Sequence, residues 1–238
     1  MSRVVPVVPG YKLEGRAAAL RARVRRDADR LRDALGRPRP RRELPPIDEL
    51  VLTILSQNTS DTNSERAFDS LKCRFPSWAG AARAPRRAIE AAIRSGGLAR
   101  TKSRTISEVL RAVEADRGGF DLEFLGRMPI GEASGWLTRF RGVGEKTAAC
   151  VLLFALGRPA FPVDTHVLRV TRRLGWIPDG TDAAGAHRRL ASLVPPRRYY
   201  EVHVNLVTLG RRTCRARRPA CEVCPLRPEC RHARSLFR

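Results

Sequence analysis

Apolar residues recur along this chain at helical spacing. Leu20, Val24, Ala28, Leu31 and Leu35 form one stripe, and Gly36 is placed to end that helix with a left-handed cap. Leu50, Val51, Ile54 and Leu55 follow Pro45 and Pro46. Ala67, Phe68 and Leu71 follow a Thr62/Glu65 pair spaced as a capping box. A helix opened by Pro85 runs through Ile89 and Ile93 to Gly96 and Gly97, and another carries Ile106, Val109, Leu110 and Val113 to Gly118 and Gly119. The same period fits 131–140, 145–156, 164–174, 182–193 and 199–209. No segment alternates as a half-buried strand does. The pattern predicts an all-α fold of about ten helices with short links. The Arg/Pro-rich stretch 37–46 reads as an extended connector.

Composition narrows the function. The 238 residues, 42% of them hydrophobic, suffice for one large or two modest domains with a real core. The formal net charge of +22 favours a polyanionic partner, nucleic acid before an anionic membrane surface. The excess is uneven: residues 1–42 hold 13 Lys and Arg against 4 acids, and 211–238 hold 9 Arg against 2 Glu. Only four of the 46 basic residues are lysines (Lys12, Lys72, Lys102 and Lys146), so a reaction that needs a neutral amine has few candidates. No run of 18 or more apolar residues is present, which excludes a helical membrane span. Val4 to Val8 is too short and too Pro-interrupted for a signal-peptide core, so a cytoplasmic protein is expected.

Six cysteines in a reducing compartment point to a metal centre or free thiols rather than disulfides. Cys214, Cys221, Cys224 and Cys230 have the spacing C-x6-C-x2-C-x5-C. Zinc ribbons usually use two close C-x2-C knuckles, and here only the central pair is that close; the long first gap suits a bulkier iron–sulfur cubane. Spacing leaves iron–sulfur and zinc both open. Cys73 and Cys150 sit in apolar helical stretches and read as buried, inert residues.

The segment Phe140-Arg141-Gly142-Val143-Gly144-Glu145-Lys146-Thr147 joins two helices. Two glycines bracketing one apolar residue let the backbone turn sharply and point N–H groups outward, and the positive end of the following helix adds to that anion site. A phosphate is its natural guest, although an ordinary helix–helix turn has the same outline. Lys146 falls in the first helical turn, where the positive helix end disfavours an ammonium and so favours an amine nucleophile. Asp164, in Val163-Asp164-Thr165-His166, stands where an N-cap is needed; a capping carboxylate is fixed in place and suits a charge-stabilising role as well.

Together these residues resemble the endonuclease III family, helix-hairpin-helix DNA glycosylases. The resemblance runs from about residue 45 to 232 and rests on Leu55-Ser56-Gln57-Asn58-Thr59-Ser60-Asp61, Gly97-Leu98 through Lys102, Gly142-Val143-Gly144-Glu145-Lys146-Thr147-Ala148, Val163-Asp164-Thr165-His166 and the four-cysteine loop, in the family's order. It implies a six-helix barrel domain over 46–157 containing the hairpin, and a cluster domain built from 1–45 and 158–238, with Lys146 and Asp164 facing each other across a DNA cleft. It implies a [4Fe-4S] cluster on Cys214, Cys221, Cys224 and Cys230. The implied partner is double-stranded DNA carrying damaged bases or abasic sites, met by a monomeric, nucleoid-associated protein.

The implied reaction is base excision with strand cleavage. Lys146 attacks C1′ of a flipped-out nucleotide, Asp164 assists, and β-elimination follows. Gln57 and Leu98 match positions that fill the gap left by the flipped nucleotide; Gly142, Val143, Gly144, Thr147 and His166 match DNA-contact positions. Oxidised pyrimidine is the implied substrate. Arg141, Glu145, Ala149, Ala99 and Asn58-Thr59 depart from the family's commoner residues, and they bear on base preference more than on reaction type. Two other readings are a DNA-binding paralogue without catalysis or with altered specificity, and a zinc-dependent DNA-binding regulator.

Overall fold

The computed structural model of the chain describes residues 11–39 and 43–236. Val4 to Val8, part of the 37–46 connector and the outermost charges of both chain ends lie outside them. Among the described residues there are twelve α-helices and no strand. The first, α1, is Tyr11–Leu35, and it stops as its sequence requires: Gly36 takes φ +81° and its N–H donates to Arg32 O at 2.8 Å. No helix among the described residues is long and apolar enough to cross a membrane.

The chain divides into two compact units, Arg39–Pro162 and the pairing of Met1–Pro38 with Val163–Arg238. The first unit holds α2 (Pro46–Leu55), α3 (Asp61–Arg74), α4 (Trp78–Arg83), α5 (Arg86–Ala92), α6 (Ala99–Arg117), α7 (Ile130–Thr138) and α8 (Glu145–Cys150). Its core is the set of predicted stripes, with Leu50, Ile54, Leu55, Leu71, Ile89, Ile106 and Leu110 fully buried. Every residue of α2 is buried, including its two acids. They survive there because each is bonded: Asp48 accepts from Trp78 Nε1 at 2.5 Å and pairs with Lys72 at 3.4 Å, and Glu49 accepts from Thr53 Oγ1 at 3.0 Å.

Several boundaries differ from the sequence pattern. The cap of α3 is Ser60, whose hydroxyl accepts from Asn63 N, so the Thr62/Glu65 capping box does not form; Thr62 is already inside the helix. Helix α4 is additional, six residues capped by Ser77. The expected 85–93 helix ends at Ala92 and tightens into a 3-10 turn, Arg94–Gly96. The stretch 145–156 is α-helical only to Cys150 and then widens into a π-helical turn, Val151–Ala155. Cys150 is buried, but Cys73 is exposed, because the buried face of α3 carries Ser64, Ala67, Phe68 and Leu71 and position 73 turns away from it.

The second unit packs α9 (Thr165–Leu174) on α11 (Tyr199–Arg212), with α1 against α11 and α10 (Ala183–Leu193), and α12 (Arg231–Leu236) on α9. Its most constrained polar group is Asp27, fully buried in α1. Asp27 accepts from Trp176 Nε1 at 2.9 Å and lies 3.7 Å from Arg23. Arg23 in turn donates to the carbonyls of Leu174 and Glu229, both at 2.5 Å, fastening α1 to the end of α9 and to the cysteine-rich loop. Removing Asp27 would leave the buried Trp176 indole N–H without its acceptor and take the carboxylate from beside Arg23, which keeps its two carbonyl partners. Asp27→Ala is therefore expected to cost about 3 kcal/mol of stability, measured by urea unfolding, with Asp27→Asn costing less because it keeps an acceptor for Trp176.

Candidate functional site

In the first unit the hairpin forms between α7 and α8. Val143 N donates to Phe140 O at 3.0 Å, closing the turn. Gly142 takes φ +86°, and a Cβ there would lie 2.7 Å from Thr105 Cγ2 on α6, so both conformation and space demand glycine. Gly144 is different. Its backbone is extended (φ −95°, ψ 178°), it caps α8, and a Cβ would meet nothing within 4 Å. Among the described residues no contact requires glycine at Gly144, which serves as an N-cap that glycine suits.

Lys146 is the second residue of α8, half-buried, with no hydrogen bond or ion pair to a described residue of its own unit. The flanking side chains turn inward: Val143 is 4% exposed and Thr147 3%. The hairpin therefore offers backbone, not the side chains of Val143 and Thr147, to a partner. Arg141 and Glu145 are exposed beside it, and Ala149 is buried.

Two neighbouring segments of the same unit carry Gln57 and Leu98. Gln57 is half-buried, and its Nε2 lies 3.4 Å from Gly142 O, which links the turn after α2 to the hairpin. Leu98 caps α6 in a left-handed conformation (φ 49°, ψ 34°) and leaves its side chain 56% exposed. Leu98 is thus a large apolar side chain held outward on a backbone geometry that it disfavours. Ala99 and Thr59 flank these two positions, half-buried, and Asn58 is exposed with φ 52°.

In the second unit Asp164 is the N-cap of α9, its Oδ1 accepting from Val167 N at 2.7 Å. His166 packs inward: a Cβ at Gly210 would lie 2.9 Å from His166 Cβ, and the ring Nδ1 is 3.1 Å from Arg169 Nη2. Arg169 also donates to Gly210 O at 2.8 Å and Cys214 O at 3.0 Å, joining α9 to α11 and the first cysteine of the loop.

Cys214, Cys221, Cys224 and Cys230 line one apolar cavity with Val170, Leu174 and Leu209. Among the described residues, no three His, Cys, Asp or Glu side chains gather closely enough for a single metal ion. The four thiols share the lining of that one cavity, the donor set a metal centre would need. Burial and the neighbouring cysteines push Cys224 up to about 11 and raise Cys221 as well. Arg173 organises the rim, donating to Cys214 Sγ at 3.4 Å, to Arg215 O at 2.7 Å and to Ala216 O at 2.9 Å. Sequence reasoning missed Arg169 and Arg173. Their only signal was arginine on the strongly amphipathic α9, one more pair among 42.

A glycine hairpin feeding a lysine-bearing helix, and a separate capped aspartate ahead of a four-cysteine loop, are the marks of the chain's two units. Residues 51–196 match the family described as HhH-GPD superfamily base excision DNA repair protein, and the chain belongs to that family of DNA glycosylases. It is 34% identical over 197 residues to an endonuclease III of Thermotoga maritima, covering 81% of this chain and 86% of that one. It is 41% identical over 165 residues to the Arabidopsis thaliana protein At3g47830, provisionally named a DNA glycosylase; this match covers 69% of the chain and 56% of that longer protein. The fold superposes on a trapped endonuclease III–DNA covalent intermediate with TM-score 0.79 and 27% identity, covering 92% of this chain and 99% of that one.

Proposed function

We propose that this DNA glycosylase is bifunctional, removing an oxidised pyrimidine and then cutting the strand at the resulting abasic site. The observation that carries the reading is Lys146, an amine without a hydrogen bond or ion pair to a described residue of its unit, on the first turn of α8 beside Gly144, where a Cβ would meet nothing within 4 Å. The hairpin N–H groups would hold a backbone phosphate and so set the register of the duplex. Gln57 and Leu98 would occupy the space left by the flipped nucleotide, Leu98 replacing lost stacking with apolar contact.

The Nζ of Lys146 then attacks C1′. The C1′–N bond breaks, its electron pair leaves with the base, and the base takes up a proton. Asp164, held by its cap bond, stabilises the positive charge that develops on the sugar and accepts a proton from Nζ. Ring opening gives a Schiff base. Loss of a C2′ proton expels the 3′-phosphate, and hydrolysis releases Lys146. Water, the phosphate leaving group and the amine balance the sequence without an added oxidant.

Cys214, Cys221, Cys224 and Cys230 would hold a [4Fe-4S] cluster, which would supply a rigid anchor for an arginine-rich DNA-contacting loop rather than a reacting group. The endonuclease III likeness supports this assignment, and the four-thiol cavity fits it. The test is incubation with duplexes containing thymine glycol, an abasic site or no lesion, in the presence of borohydride. Covalent adducts and strand breaks are expected on the first two only. Adducts on abasic DNA with none on thymine glycol would keep the lyase and reassign the base.

A further inference from the structure

Lys102 is 3% exposed on the first turn of α6, and its Nζ donates to two main-chain carbonyls, Leu55 O at 2.6 Å and Gly96 O at 2.8 Å. Leu55 ends α2, so its carbonyl has no partner within that helix, and a cation there also meets the negative helix end. Burial pushes the Lys102 pKa below the ordinary lysine value, while both carbonyls favour the ammonium. Desolvating an ammonium is costly, and in this position it joins two loops rather than two charges.

The two gripped carbonyls stand two residues before Gln57 and two residues before Leu98. The main-chain N–H of Lys102 also donates to Leu98 O at 3.0 Å. Gly96 fits this close approach, since a Cβ there would lie 3.0 Å from Ala67 Cβ on α3. Leu98 itself is held with φ 49°, a conformation that persists only where surrounding bonds over-determine it.

We propose that Lys102 is a positioning residue that fixes the spacing between Gln57 and Leu98, so that both enter the DNA as one preformed wedge. The inference rests on the reading that those two side chains fill the gap of the flipped nucleotide. A preformed wedge spares the ordering of two loops at the moment of binding. A lysine that merely stabilises the unit would act on folding alone, independently of whether Gln57 and Leu98 are present.

The test is a double-mutant cycle on binding to a duplex with a tetrahydrofuran abasic analogue, which needs no turnover. Lys102→Met, of similar length without donors, is expected to weaken binding about ten- to thirtyfold in the wild-type background. In the Gln57→Ala/Leu98→Ala background the same change is expected to cost less than about threefold, because the residues it positions are gone. Equal losses in the two backgrounds, or no loss in either, would overturn the proposal. If Gln57→Ala/Leu98→Ala alone binds as tightly as wild type, the wedge reading fails and the proposal with it, at a corner of the cycle that does not involve Lys102. Should Lys102→Met fail to fold, Lys102→Arg serves in the same cycle, since its planar fork keeps the charge but fits two converging carbonyls poorly.

Discussion

Lys146→Ala should abolish the borohydride-trapped adduct and reduce strand cleavage at an abasic site by at least about 10³-fold, while leaving affinity for the uncleaved duplex nearly intact. The side chain is half-buried and makes no bond to a described residue of its unit, so truncation removes the nucleophile without stripping a described contact. The hairpin N–H groups, which would hold the phosphate, are unaffected. Asp164 separates two roles in the same experiment. Asp164→Asn keeps an N-cap of equal quality and loses the charge, so the melting temperature should hold while turnover falls about 10²-fold or more. Asp164→Ala loses the Val167 bond as well and should add a stability cost of about 1 kcal/mol. Variants that trap and cleave like wild type would remove Lys146 from the reaction.

The parts of the site that depend on local backbone chemistry were legible in the sequence. Gly142 needs a positive φ and room against Thr105, and Asp164 needs only a helix start to become a cap. The positive φ and the helix start are set by neighbours in the chain; only the room against Thr105, on α6, comes from a distant element. Parts that depend on distant elements were not legible. Lys102 reads as one polar position on an amphipathic helix; its burial comes from the carbonyls of Leu55 and Gly96, which the fold delivers from other segments.

Helical period was a good guide to long stripes and a poor one elsewhere. Six residues of α4 or α12 are too few to show a 3.6-residue repeat, and the Ser77 cap is the only local mark of the first. Cys73 was misplaced for a related reason: residue type suggests burial, but the face it occupies is set by Ala67, Phe68 and Leu71. Thr147 lies in the motif that resembles a DNA-contact element, yet its side chain points into the core. The motif there is a backbone device, and a sequence letter does not say whether side chain or main chain is used.

Replacing a single loop cysteine should have the other large effect. Between Thr213 and Cys230 the chain has one 3-10 turn and little apolar burial of its own; Leu226 is its fully buried side chain. Its order depends on Arg169 and Arg173 gripping Cys214, Arg215 and Ala216, and on whatever the four sulfurs enclose. Binding energies at structural metal centres are about 10 kcal/mol, comparable to the whole stability of a domain, so losing the centre should loosen the loop between the points that Arg23, Arg169 and Arg173 hold. With the proposed [4Fe-4S] cluster, Cys230→Ser is expected to remove iron and inorganic sulfide from the purified protein, expose the loop to limited proteolysis, and loosen α12, which begins at the next residue. Cys73→Ser, at an exposed position outside the cavity, should leave metal content unchanged. DNA binding should weaken together with its salt dependence, the log–log slope falling by about 0.9 for each phosphate contact the arginine-rich loop surrenders. A loss of affinity with an unchanged slope would mean that the loop's arginines do not touch phosphate, and the charge at the chain's end would then need another partner.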